Sequence, residues 1–131
     1  MADFSLASYI HLPLKENTGG TAEVAMTYRA IAENPGRGSV QGKLLVDTGS
    51  GGGSNPGLSG ATGKPASITL ETSVDGETWT AVGAALSAVS GGEATFSVQV
   101  DRFFRVKTAA GSGYAFLQMH TSAQYNEMRP M

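Results

Sequence analysis

A chain of 131 residues with nine basic and eleven acidic side chains carries a net charge of −2 and no cysteine. That length supports one domain, 1–131, burying about two-thirds of the unfolded chain's surface, and the charge balance offers no phosphate-binding stripe, so nucleic acid is not expected as a partner. Disulfides and thiolate metal sites are excluded, and no run of about 18 apolar residues exists to form a membrane-spanning helix, so no membrane partner is expected either.

The opening MADFSLASYIHLPLKEN has neither a basic n-region nor a long apolar core and does not read as a signal peptide. Within it Phe4, Leu6, Ser8 and Ile10 alternate with Ser5, Ala7, Tyr9 and His11, which predicts a strand. Residues 22–33, AEVAMTYRAIAE, mix helix-favouring Ala and Glu with the period-2 series Val24, Met26, Tyr28 and Ala30. Short strands at regular spacing surround this segment, so a strand is expected here as well. Val40 and Leu44-Leu45-Val46 mark the next strand.

Ten of the 18 glycines fall within residues 36–63. The densest stretch, DTGSGGGSNPGLSGATGKP (47–65), has no apolar periodicity and one large apolar residue, Leu58. It reads as a long Gly/Ser-rich loop. GATGK (60–64) resembles a phosphate loop superficially, but it lacks the spacing from the first glycine to the lysine, and Pro65 stands where Ser or Thr is needed.

Beyond the loop, Ile68, Leu70, Thr72 and Val74 alternate with Thr69, Glu71 and Ser73. Asp75-Gly76 then predicts a two-residue type I′ hairpin turn, pairing Val74 with Glu77 and Thr72 with Trp79. That register puts Trp79 on the face of Ile68 and Leu70, as a core or rim aromatic. Phe96, Val98 and Val100 form one face of a further strand, and Phe104 and Val106 one face of FFRVKT (103–108). YAFLQMHTSA (114–123) alternates poorly and suggests burial on both faces or a place in an interface. The tail SAQYNEMRPM (122–131) reads as an interaction arm. Tyr125, Met128 and Met131 are its apolar anchors, with Arg129 beside them, and Leu58 in the loop is a further partner-contact candidate. Both loop and tail are expected to order only on a partner surface.

Together these elements predict an all-β, single-domain antiparallel sandwich of seven or eight strands, jelly-roll or Ig-like Greek key. No catalytic, cofactor-binding or metal site is expected. His11 and His120 each lie alone in an apolar strand, far apart in sequence and without the short ligand spacing of metal sites. Neither a nucleophile elbow nor a P-loop occurs. The protein is therefore expected not to be an enzyme.

Ser73-Val74-Asp75-Gly76-Glu77-Thr78-Trp79 is similar to the Asp-box turn of sialidase-like propellers, but it is one residue short and occurs once, whereas propellers repeat it blade after blade. A broader resemblance covers residues 66–120. ITLETSVDGETWTAVGAAL followed by ATFSVQVDRFFRVKTAAGSG resembles small β-sandwich structural proteins of tailed-phage virions: a strand, a DG hairpin with a tryptophan, a small-residue stretch, then an aromatic-basic strand. The resemblance implies a head decoration (cement) protein made in the host cytoplasm and carried on the capsid exterior. There it would clamp neighbouring major capsid subunits, often as a homotrimer. The alternatives are a carbohydrate-binding or host-adhesion module stacking sugars on Trp79 and nearby tyrosines, and a tail or head-fibre component.

Overall fold

The computed structural model describes residues 8–31, 38–46, 65–89, 92–122 and 125–128. Among these are nine strands: β1 (Ser8–Leu14), β2 (Glu23–Ala30), β3 (Gly38–Leu45), β4 (Ala66–Ser73), β5 (Thr80–Ala88), β6 (Glu93–Val100), β7 (Phe103–Thr108), β8 (Ala115–Thr121) and β9 (Tyr125–Met128). They form two antiparallel sheets, ordered β1-β8-β3-β6 and β5-β4-β7-β2-β9. The expected all-β sandwich is thus the fold, with one strand more than the upper expectation.

The pairing separates the two topologies the sequence left open. β1 pairs with β8, β2 with β7, β3 with β6 and β4 with β5. The first half of the chain therefore runs as a double ribbon against the second half, and successive pairs fall in alternate sheets. β3·β8 and β4·β7 join neighbouring turns of the ribbon. This is jelly-roll connectivity. An Ig-like sandwich keeps its first two strands in one sheet, whereas β1 and β2 lie in opposite sheets here.

Period-2 side chains from both sheets meet in one core. Leu12, Leu14, Val40, Leu44, Leu117 and Met119 project from the smaller sheet onto Tyr28, Ile68, Leu70, Phe104 and Val106 of the larger. β8 alternates cleanly, contrary to its sequence reading: Ala115, Leu117, Met119 and Thr121 are buried, while Phe116, Gln118 and His120 face outward. A bulge between Val24 and Met26 shifts β2 out of strict alternation, leaving Val24 exposed while Tyr28 and Ala30 are buried. At Gly42 the backbones of β3 and β8 approach so closely that a Cβ would collide with the Gln118 carbonyl oxygen, so any side chain would force the strands apart.

One buried amide closes an end of the sandwich. Asn17, between β1 and β2, donates from Nδ2 to the carbonyls of Thr21, Thr108 and Ala109 at 3.0–3.1 Å, and its Oδ1 accepts from the Gly19 amide at 3.0 Å. Its backbone exchanges further hydrogen bonds with Ser112 and Gly111. Asn17 thereby ties the β1–β2 loop to the β7–β8 turn.

The tail reading requires correction. Tyr125 is not an anchor held out for a neighbour: it begins β9, pairs opposite Ala30, and buries its ring against Phe104 with centroids 5.0 Å apart. The physical reason is the sheet edge: β2 would otherwise be open, and β9 supplies its missing hydrogen-bond partner. Tyr125→Ala is expected to cost about 3–5 kcal/mol, the range for truncating a large buried ring. Chemical denaturation of the isolated protein checks this, and a loss below about 1 kcal/mol would restore the tail to a dispensable arm.

Candidate functional site

Asp75 organises the turn that follows β4. Its Oδ1 accepts hydrogen bonds from the Ser73 hydroxyl (2.9 Å) and from the amides of Glu77 (2.8 Å) and Thr78 (3.0 Å), while the Gly76 amide donates to Ser73 Oγ at 2.8 Å. The carboxylate thus gathers a six-residue connection, 74–79, in place of the expected two-residue one. A type I′ turn needs positive φ at both central residues; among the described residues of this turn only Gly76 has it, at 82°. Thr72 accordingly pairs with Thr80 and not with Trp79. Val74 leaves the strand face it was assigned to and is 72% exposed.

The longer connection moves Trp79 to the other side of the sheet. Its ring lies under the Arg105 guanidinium, with Cζ 4.2 Å from the ring centroid. Arg105 projects outward from β7, because Phe104 and Val106 on either side of it are buried. Arg105 Nε also donates to Glu71 Oε1 at 2.7 Å, and Lys107 Nζ lies 3.8 Å from Glu71 Oε2. Trp79 is therefore a half-buried outer-face residue with one ring face covered by a cation, and not a core aromatic beside Ile68 and Leu70.

Around this pair the outer face of the five-stranded sheet sets four cations among aromatic rings, two of them, Arg105 and Lys107, paired with Glu71. Arg29 is exposed on β2, opposite Phe103 of β7. The Arg102 guanidinium leans on the Phe103 ring at 5.9 Å, and the Asp75-Gly76 turn packs on the same ring. Arg29, Arg102, Arg105 and Lys107 are four of the nine basic residues of a chain whose net charge is negative. Sequence inspection singled out only the tryptophan here; the cations come from β2, the β6–β7 corner and β7, which the fold aligns.

The opposite outer face, on the four-stranded sheet, is different in chemistry. The pairing of β1 with β8 sets Tyr9 opposite His120 and His11 opposite Gln118. Tyr9 lies 4.5 Å from His120 and 4.7 Å from His11 between ring centroids, so the two histidines expected to stand alone share one aromatic neighbour. Among the described residues no group of three or more His, Cys, Asp or Glu is placed to hold a metal ion. Of the residues proposed as partner contacts, Tyr125 is in the core and Met128 is 41% exposed on β9. Leu58, Arg129 and Met131 lie outside the described residues, as does nearly all of the 47–65 loop.

No protein-family model and no curated protein matches this chain.

Two outcomes test the geometry. Backbone hydrogen bonds from Thr78 and Glu77, then the bond from Ser73, hold the Asp75 carboxyl down from its ordinary 3.8 to about 2. A depressed carboxyl stabilises the fold fully above pH 3.8 and loses that contribution as the pH falls through about 2. NMR titration is expected to place Asp75 near the lower value, and an ordinary titration would break the turn assignment. For the stacked pair, a double-mutant cycle of Trp79→Ala and Arg105→Ala is expected to give a coupling of about 0.5–1 kcal/mol. Strictly additive losses would show that the stack carries no energy.

Proposed function

We propose that this protein is a non-enzymatic virion component: a capsid decoration (cement) protein that docks on the outside of a phage head and bridges neighbouring major capsid subunits as a homo-oligomer. One observation carries the reading. Arginine and aromatic side chains are the residue types most enriched in protein–protein interfaces and their hot spots. The outer face of the five-stranded sheet sets Arg29, Arg102, Arg105 and Lys107 around Trp79 and Phe103. Arg105 and Lys107 share Glu71, so Arg29 and Arg102 are the cations this face turns toward a carboxylate-bearing partner. The cations speed the encounter and set the register, and the rings supply desolvated contact area.

The function needs no chemistry. A specific contact of about 800 Å² per partner, repeated across a lattice, adds shell stability through association alone. The aromatic-basic strand that underlies the resemblance to virion sandwich proteins is β7, and its outward residues Phe103, Arg105 and Lys107 form the middle of this face.

Shells lacking the protein provide the test. Purified protein is expected to bind them to saturation, to raise their disruption temperature, and to dissociate progressively between about 0.05 and 0.5 M salt. Arg29→Glu is expected to reduce occupancy severalfold while the free protein melts as before. Binding that ignores both salt and charge reversal would exclude this face, and failure to bind any shell would exclude the decoration role.

A further inference from the structure

We propose that the outer face of the four-stranded sheet is a carbohydrate-binding site that stacks a hexopyranose ring on Tyr9. This inference does not rest on the shell-docking reading, which uses the opposite face.

The site is a shallow depression of about 340 Å³, within the range of small-ligand clefts. Its side chains come from all four strands of the sheet: Tyr9 of β1, Gln118 and His120 of β8, Gln41 and Lys43 of β3, and Thr95 of β6. The register explains why they converge. Gln41 stands opposite His120, and Lys43 opposite both Gln118 and Thr95, so outward-pointing residues of neighbouring strands form contiguous rows. Gly42, between Gln41 and Lys43, lets β3 and β8 approach closely, which draws these rows together.

The chemistry of the lining selects the ligand. Each carboxamide offers a donor pair and an acceptor, the threonine hydroxyl offers both roles, and the lysine donates. A sugar presents vicinal hydroxyls that both donate and accept, with an apolar C–H face at right angles to them. A flat ring flanked by amides and hydroxyls matches that pattern. Tyr9 supplies the ring: it is 52% exposed. It is also braced. His11 meets it edge-on with the planes at 81°, and His120 packs on it at 46°. A tyrosine held in this way loses little freedom when a ligand lands on it. Phe96 of β6 lines the depression as well, with Gln41, Lys43, Thr95 and Gln118 beside the rings, so the lining offers apolar and hydrogen-bonding contact together, as a sugar does. Lys43 is within 3.5 Å of Glu93, so the site carries little net charge and suits a neutral sugar.

Isotope-labelled protein titrated with methyl hexopyranosides and with neutral bacterial polysaccharide fragments, followed by amide and side-chain NMR shifts, reads the site without any variant. Saturable shifts are expected at Tyr9, Gln41, Gln118 and His120 for at least one sugar configuration, with the Trp79 indole signal unmoved. Tyr9→Ala is expected to weaken that binding at least about tenfold and Gln118→Ala severalfold, while Tyr9→Phe keeps most of it. Trp79→Ala, on the far face, leaves it intact. No saturable shift with any sugar of the panel would overturn the proposal. So would shifts centred on Trp79, or binding that survives Tyr9→Ala in a protein whose melting is unchanged. Shell binding is scored separately, so either reading can fail without the other.

Discussion

The stack of Tyr28, Phe104 and Tyr125 is the contact on which the rest of the sandwich depends. Phe104 is fully buried, with Tyr28 stacked on it at 4.8 Å and Tyr125 edge-on at 5.0 Å, so one cluster joins β2, β7 and β9. The same cluster anchors the corner where the chain crosses from the smaller sheet to the larger. Tyr125 OH donates to the Asp101 carbonyl at 3.2 Å. Beside it Thr72 Oγ1 accepts from the Asp101 amide at 2.6 Å and donates to the Phe103 carbonyl at 2.8 Å. Gly38 has no room for a Cβ, which would sit 2.8 Å from the Tyr125 hydroxyl oxygen. Burial, and then the Glu127 carboxylate, push the Tyr28 hydroxyl well above its ordinary pKa, so it stays neutral within the core. Once Phe104 is fixed inward, strand geometry obliges Phe103 and Arg105 to point outward. The core stack therefore sets the phase of the basic face.

How much was legible in the sequence follows from which signals are local. Phe96, Val98, Val100, Phe104 and Val106 keep period 2 without interruption, and each faces the core as that period predicts. β8 was obscured because Phe116, an aromatic residue, points outward beside inward Ala115 and Leu117, so hydropathy alone hides the alternation. Trp79 was assigned to the wrong face because Asp75-Gly76 carries a strong dipeptide preference. That preference is overridden here by the Asp75 side chain, which collects Ser73, Glu77 and Thr78 into a longer turn. A change of one residue in register is enough to invert a side chain across a sheet. β9 was missed because four residues containing Asn126 and Glu127 give no periodic signal; its strand character comes from the edge of β2, nearly a hundred positions earlier in the chain.

The two outer faces show the same limit. Tyr9 and His120 lie at opposite ends of the chain and meet only because the jelly-roll ribbon pairs β1 with β8. Arg29 reaches Phe103 by the equivalent pairing of β2 with β7. No spacing rule read along the chain could have joined either set. Trp79 alone drew notice beforehand, and its partner Arg105 turns it from a free stacking platform into part of a charged, aromatic patch.

If the proposed capsid-decoration role holds, the face around Arg29, Phe103 and Arg105 points toward the shell and the face around Tyr9 toward the surroundings. A cryo-electron microscopy reconstruction of shells carrying this protein tests that directly. Density is expected in which β7 and β2 of the five-stranded sheet lie against the shell, while β1 and β8 face solvent. A reconstruction with Tyr9 and His120 buried against the capsid and Arg29 facing outward would contradict it.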